Sequence, residues 1–141
     1  MDLLFLCRDA REDAVIGNIA MAMRASAAGK TSGVLFTGEA LAALAGEAFR
    51  WSPLFEGRPA RIAITRRATA AGFPVAAERD ARWTDVPRLL GAARGAGVRL
   101  MACPVWTEIL DVADRLPAPL DRPSQDDVLQ ELTSARVIGG Y

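Results

Sequence analysis

Histidine is absent from this 141-residue chain, and cysteine occurs only twice, at Cys7 and Cys103. The missing imidazole excludes Ser-His-Asp triads, Cys-His dyads, HExxH zinc sites and His-ligated haem. Two distant cysteines make neither a zinc knuckle nor a disulfide framework. Lysine is nearly missing as well: Lys30 stands alone beside sixteen arginines, a pattern that reads as coding bias. Neither sign of charge is in excess. Seventeen basic residues balance seventeen acidic ones, which removes the electrostatic reason to expect nucleic acid or an anionic membrane as partner. No apolar run approaches the ~18 residues that span a bilayer. The stretch Met1 to Arg8 lacks the basic and long apolar regions of a secretory signal. These absences predict a cytoplasmic protein with reduced thiols and no metal or organic cofactor.

What is present fits one globular domain over residues 1–141. Hydrophobic residues make up 51% and charged residues 24% of the 15.1 kDa chain, a balance that allows a single sizeable core. Leu3 to Cys7 is a short continuous apolar run, the pattern of a strand buried on both faces. Val15, Ile19, Met23 and Ala27 then recur every fourth residue, predicting a helix capped by Asp13 and stopped near Gly29. Gly33 to Thr37 predicts a second buried strand, followed by an Ala/Leu helix from Glu39 to Ala45. Strand, helix, strand, helix is the order of a parallel α/β sheet.

The middle, Gly46 to Trp83, is the least legible part. Arg61 to Thr65 fits a strand as well as the opening of a helix to Ala71. Glu78 to Arg82 reads as an exposed loop. Thr84 or Asp85 then caps a helix carrying Val86, Leu89, Leu90 and Ala93, with Pro87 in its first turn. Val98 to Cys103 predicts a further strand. Pro104 begins a helix whose Val105, Ile109, Val112 and Leu116 share one face and which Pro117 and Pro119 end. Ser124 and Asp127 form a capping box for a last helix with Val128, Leu129 and Leu132. Ala135 to Gly139 closes the chain as a strand, so the sheet has four to five strands, mainly parallel.

In such sheets ligands bind outside the carboxyl ends of the strands. Cys103 ends a strand and precedes Pro104, a favoured first helical residue. Its thiol therefore stands near a helix start, where free N–H groups favour a thiolate by about 0.3–1 kcal/mol. With up to ~2 kcal/mol in good geometry, that is roughly one pKa unit, so a stronger shift needs a cation; Arg8, Arg11 and Lys30 are the candidates. Equally, Cys103 reads as a small buried hydrophobe closing its strand. Cys7 reads as structural, since it ends an apolar run. Asn18 reads as a buried contact residue, and Asp111 and Asp114 as neighbours on one helix. Trp51, Trp83 and Trp106 are spread without basic interleaving and suit core, interface or pocket walls.

Four segments resemble the DsrE/DsrF-like family of small sulfur-relay proteins. They are the N-terminal strand and long helix, Gly33 to Thr37 with its helix, Val86 to Cys103, and Ala135 to Gly140. Within the third, Gly97-Val98-Arg99-Leu100-Met101-Ala102-Cys103 is similar to the family's Gly-Val, apolar strand, Ala-Cys signature. The resemblance covers about two-thirds of the chain and leaves out the middle. It implies a three-layer α/β/α sandwich, persulfide sulfur carried on Cys103, and assembly into trimers or hexamers. The zero net charge and three tryptophans also suggest apolar surface left over for a homo-oligomer.

The expectation is a sulfur carrier or sulfurtransferase subunit. Cys103 would accept sulfane sulfur from a donor protein and pass it to a partner cysteine, with Arg8, Arg11, Thr37, Pro104, Val105 and Trp106 lining the site. The alternatives are a non-catalytic module that binds a small ligand or a protein, and a redox-active thiol protein.

Overall fold

The computed structural model describes residues 1–46, 48–73 and 84–139. Among these, four strands form one sheet: β1 (Leu3–Cys7), β2 (Ser32–Phe36), β3 (Arg99–Ala102) and β4 (Arg136–Gly139). Their order is β3-β2-β1-β4, and every pairing is parallel. The short apolar runs form these strands because both faces of a covered parallel sheet must be apolar. Side chains alternate across the pleat. Phe5, Cys7, Val34, Phe36, Leu100 and Ala102 therefore join one core cluster, while Leu4, Leu35 and Met101 join another on the opposite face.

Helix α1 (Glu12–Ala27) connects β1 to its neighbour β2, and α4 (Val86–Gly95) leads into β3 one strand further out. Both supply the first cluster through Val15, Ile19, Leu89, Leu90 and Ala93, as does α2 (Gly38–Gly46) through Leu41 and Leu44. The chain then turns back past β2 and β1 to place β4, after α6 (Gln125–Ser134). A crossover of the same hand in the reverse direction lays its helix on the other face. Accordingly Val128 and Leu132 of α6 cover Leu4, Leu35 and Met101. The result is a three-layer α/β/α sandwich. The outer edge of β3 is occupied by Asp121, whose N–H donates to the Leu100 carbonyl at 2.7 Å and whose carbonyl accepts from Ala102 at 3.0 Å.

Helix limits follow local chemistry. Ser124 and Asp127 form the expected capping box of α6, and these hydrogen bonds hold the Asp127 carboxyl below the usual carboxylate range. Asp85 caps α4 by accepting from the Arg88 N–H at 3.0 Å. Gly29, at φ 78°, ends α1 in the left-handed region that glycine enters without strain. The start of α1 differs from the sequence expectation. Arg11, not Asp13, is the N-cap residue. Asp9 folds back to accept from the Arg11 N–H at 3.0 Å, which starts the helix early. Asp13 is left to accept from Ser52 N–H at 3.0 Å.

Two further expectations are resolved or corrected. The ambiguous segment from Arg61 to Thr65 is helical: α3 spans Arg58–Ala70, with Pro59 in its first turn. Thr65 is fully buried, and the Arg61 guanidinium lies 5.5 Å from the centre of the Trp51 ring. The loop expected over Glu78 to Arg82, and Trp83, lie outside the described residues. The helix begun by Pro104 does not reach Leu116. α5 is only Pro104–Ile109, Asp111 takes φ 52°, and a 3-10 turn follows over Ala113–Arg115. Val112 N–H closes the turn onto the Thr107 carbonyl at 3.2 Å. The reversal buries Val112 and Leu120 in the core, whereas Val105 and Ile109 stay exposed. A continued helix would have kept Val105, Ile109, Val112 and Leu116 on one face. Asp111 and Asp114 consequently do not share a helix. Asn18 is buried, but its Nδ2 donates within α1 to the Ala14 carbonyl at 2.9 Å.

Candidate functional site

The register pairs Cys7 with Phe36 and Phe36 with Ala102. The next residue of each strand therefore brings Arg8, Thr37 and Cys103 side by side at the carboxyl edge. Backbone bonds hold them there: Thr37 N–H donates to the Cys7 carbonyl at 3.0 Å, and Cys103 N–H to the Phe36 carbonyl at 2.9 Å. Cys103 is the N-cap residue of α5 and makes no side-chain cap bond. Its carbonyl accepts from the Thr107 N–H at 2.9 Å and from Thr107 Oγ1 at 2.8 Å, which fixes the turn. The side chain is half-buried against the Leu4, Leu35 and Met101 cluster. Pro104 carries no N–H, so Val105 and Trp106 supply the free donors of the first turn. Their side chains are exposed, as is Ile109 one turn on.

The second thiol has the opposite character. Cys7 is fully buried on the other face of the sheet. Burial pushes its thiol up to about 12, with the Asp9 carboxylate adding to the shift. β2 stands between β1 and β3, so the two cysteines are separated by two strand spacings, roughly 10 Å. A disulfide needs Cα atoms within about 7 Å and converging side chains. The fold meets neither condition.

The predicted cations separate in space. Arg8 is exposed and has no ion-pair partner among the described residues. Arg11 is tied to Asp9, Nε to Oδ2 at 3.0 Å, at the start of α1 and outside the Arg8, Thr37, Cys103 row. Lys30 precedes β2, which begins at Ser32. It therefore stands at the amino edge of the sheet, opposite Cys103. Thr37, Pro104, Val105 and Trp106 all fall beside the thiol. Among the described residues no cluster of three or more His, Cys, Asp or Glu is placed to hold a metal ion. No helix of the described residues is long and apolar enough to cross a membrane.

A small cleft of about 370 Å³ at the start of α5, lined by Ala102, Pro104, Thr107 and Glu108 among others, does not include Cys103. A larger cavity, about 610 Å³, lies elsewhere on the carboxyl edge. It opens between the first turns of α1 and α4 and includes Glu12, Thr84 and Arg115 but not Cys103. The sequence reading missed it, because its walls come from α1, α2, α4 and the segment after α5. The only local hint is the Pro117–Pro119 segment, read there as a helix stop.

No family model and no curated protein matches the chain. A parallel three-layer α/β protein with one accessible-edge thiol and a separate cavity is the class that fold and site define. Among solved structures, the chain is similar to a conserved protein of unknown function from Bacteroides thetaiotaomicron. The TM-score is 0.61 at 14% identity, over 99% of this chain and 94% of that one. A structural likeness at that identity shows a shared fold and nothing further.

Proposed function

We propose that the protein is a sulfur carrier or sulfurtransferase subunit of DsrE-like type, holding sulfane sulfur on Cys103. The observation that carries the reading is the contrast between the two thiols. Cys7 is sealed, whereas Cys103 is half-exposed at the carboxyl edge in register with exposed Arg8, which has no ion-pair partner among the described residues. The Cys103 thiol first loses its proton to solvent. The thiolate attacks the outer sulfur of a donor persulfide, forming a bond from Cys103 Sγ to that sulfur. The donor's own S–S bond breaks, and its thiolate leaves and takes a proton from water. A partner cysteine thiolate then attacks the carried sulfur, and Cys103 departs as thiolate. No net oxidation occurs.

α5 has six residues, so its field is that of little more than one turn. Arg8 stands two strand spacings from Cys103, roughly 10 Å, which is about one Debye length at 0.1 M salt. Its role is to attract an anionic persulfide donor, not to fix the thiolate. Exposed Val105, Trp106 and Ile109 beside the thiol provide apolar contact for a partner.

The test is mass spectrometry after incubation with inorganic polysulfide. The wild type gains one sulfur on the Cys103 peptide, Cys7→Ala gains it equally, and Cys103→Ser, which folds normally, gains none. Sulfur on the Cys103→Ser variant ends the assignment. Gain of oxygen alone at Cys103 favours the redox-thiol reading, and native labelling that fails until denaturation favours a binding module.

The second expected result concerns assembly. The exposed apolar residues of α5, with zero net charge, support a homo-oligomer, and the DsrE-like resemblance implies multiples of three. Light scattering at micromolar concentration reports a mass well above 15.1 kDa; a monomer there rules this out.

A further inference from the structure

The 610 Å³ cavity lies within the size range of small-molecule pockets. Among the described residues its walls are mostly apolar, with Leu44, Phe49 and Leu90 among them, and three polar side chains interrupt them: Glu12, Thr84 and Arg115. Two observations set this cavity apart from a packing gap. Glu12 Oε2 and Thr84 Oγ1 are both shut from solvent without a hydrogen-bond partner. Orphaned buried polar atoms are costly, and they are uncommon where no ligand is expected. In addition, Glu12 and Arg115 carry opposite charges on the walls of one cavity and do not pair. Neither has an ion-pair partner among the described residues; Glu12 is half-buried and Arg115 is exposed to solvent.

We infer that this cavity binds a zwitterion with an apolar body, of the chemical class of the apolar α-amino acids. An ammonium group supplies the donor and the positive charge that Glu12 lacks. A carboxylate supplies the partner that the Arg115 guanidinium lacks, as a two-pronged acceptor for its planar fork. The Thr84 hydroxyl adds one hydrogen bond at the polar end. Leu44, Phe49 and Leu90 receive the aliphatic or aromatic side chain, and the hydrophobic effect favours its transfer from water. A ligand without the ammonium leaves the shut-in Glu12 oxygen unpartnered, and one without the carboxylate forgoes the Arg115 contact, so preference for the zwitterion follows from the same geometry. The inference is independent of the sulfur-carrier reading, because Cys103 does not line this cavity.

The experiment is calorimetric titration of the full chain with L-leucine and L-phenylalanine, beside two analogues of leucine. Leucinamide keeps the ammonium and loses the carboxylate, and 4-methylpentanoate keeps only the carboxylate. Saturable binding of an amino acid is expected, with each analogue at least about tenfold weaker, the lower end of what a charge-assisted hydrogen bond contributes. Glu12→Gln and Arg115→Met each weaken amino-acid binding by at least about tenfold. Cys103→Ser binds as the wild type does, even if polysulfide loading fails. The inference is overturned if neither amino acid binds at millimolar concentration, or if folded Glu12→Gln binds unchanged. It is equally overturned if the analogues bind as tightly as leucine, an outcome that needs no variant to fold.

Discussion

Replacing Phe36 with alanine lowers the unfolding free energy by about 3–5 kcal/mol, the range for truncating a buried phenylalanine. Phe36 is fully buried in β2, which is paired on both sides by β1 and β3. Its ring enters the cluster that α1, α2 and α4 build over the sheet, together with Leu41, Leu90 and Leu100. Alanine there removes the transfer energy of the ring and leaves a hole that a sheet held on both sides cannot close. Domains of this size have about 5–15 kcal/mol in total, so the loss is a large share. At roughly 4 °C per kcal/mol the melting temperature falls by about 12–20 °C. Urea unfolding should show a lower midpoint with an unchanged slope. Leu54→Ala is the control: Leu54 is 85% exposed, and its truncation should stay within about 0.5 kcal/mol. A Phe36→Ala cost below about 1 kcal/mol contradicts the placement of this ring.

Alkaline pH should destabilise the protein through Cys7, and a Cys7→Val variant should reverse its rank against the wild type. The ordinary thiol value is 9.0, and burial raises Cys7 to about 12 in the folded state. Between those values the unfolded chain has released the proton that the folded chain retains. The unfolded state then binds fewer protons, so stability falls as pH rises. The contribution is intact below pH 9 and is lost progressively up to pH 12. At pH 11 the loss is about 3 kcal/mol, from ~1.36 kcal/mol per unit. Valine lacks the proton and fills nearly the same space. At pH 7 the variant should be less stable by about 0.5–1.5 kcal/mol, as for other small core changes. At pH 11 it should equal or exceed the wild type. Chemical unfolding of both proteins at the two pH values reads this directly. Parallel declines would mean that the Cys7 thiol ionises in the native fold.

The parts legible in the sequence are those governed by neighbours along the chain. β1 spans Leu3–Cys7 as the apolar run indicates, and α4 and α6 start where Asp85 and Ser124 cap them. Caps and stops act over three or four residues, so a local pattern is sufficient. The other strands shift by a residue or two at their ends, which leaves their facing unchanged. α5 was misread because Val112 and Leu116 follow the helical spacing of Val105 and Ile109. A buried core attracts Val112 more strongly than a solvent-exposed helix face retains it, and Asp111 accepts a left-handed turn to let that happen. The segment over Arg61 to Thr65 has too few residues to separate two periods. The interior that swallows Thr65, with Trp51 meeting Arg61, settles it as helix.

The candidate site divides in the same way. That Cys103 ends a strand and starts a helix, and that Cys7 ends an apolar run, are properties of consecutive residues. The strand order is not. Which strand lies beside which depends on the direction and hand of each crossover, and these put β2 between the cysteines and Lys30 at the far edge. The pleat then turned one thiol into the α1 and α4 core and the other towards α6. The cavity of Glu12, Thr84 and Arg115 joins residues up to a hundred positions apart, with walls from three helices and a turn. By itself the sequence determined the order of strands and helices outside the middle and the segment after Ile109, the absence of imidazole chemistry and the strand-end positions of both thiols, since local hydrophobic spacing and composition encode these. Only the tertiary structure decided that Cys103 stays half-exposed and which charges share a cavity, because burial and long-range juxtaposition exist only once the layers have packed.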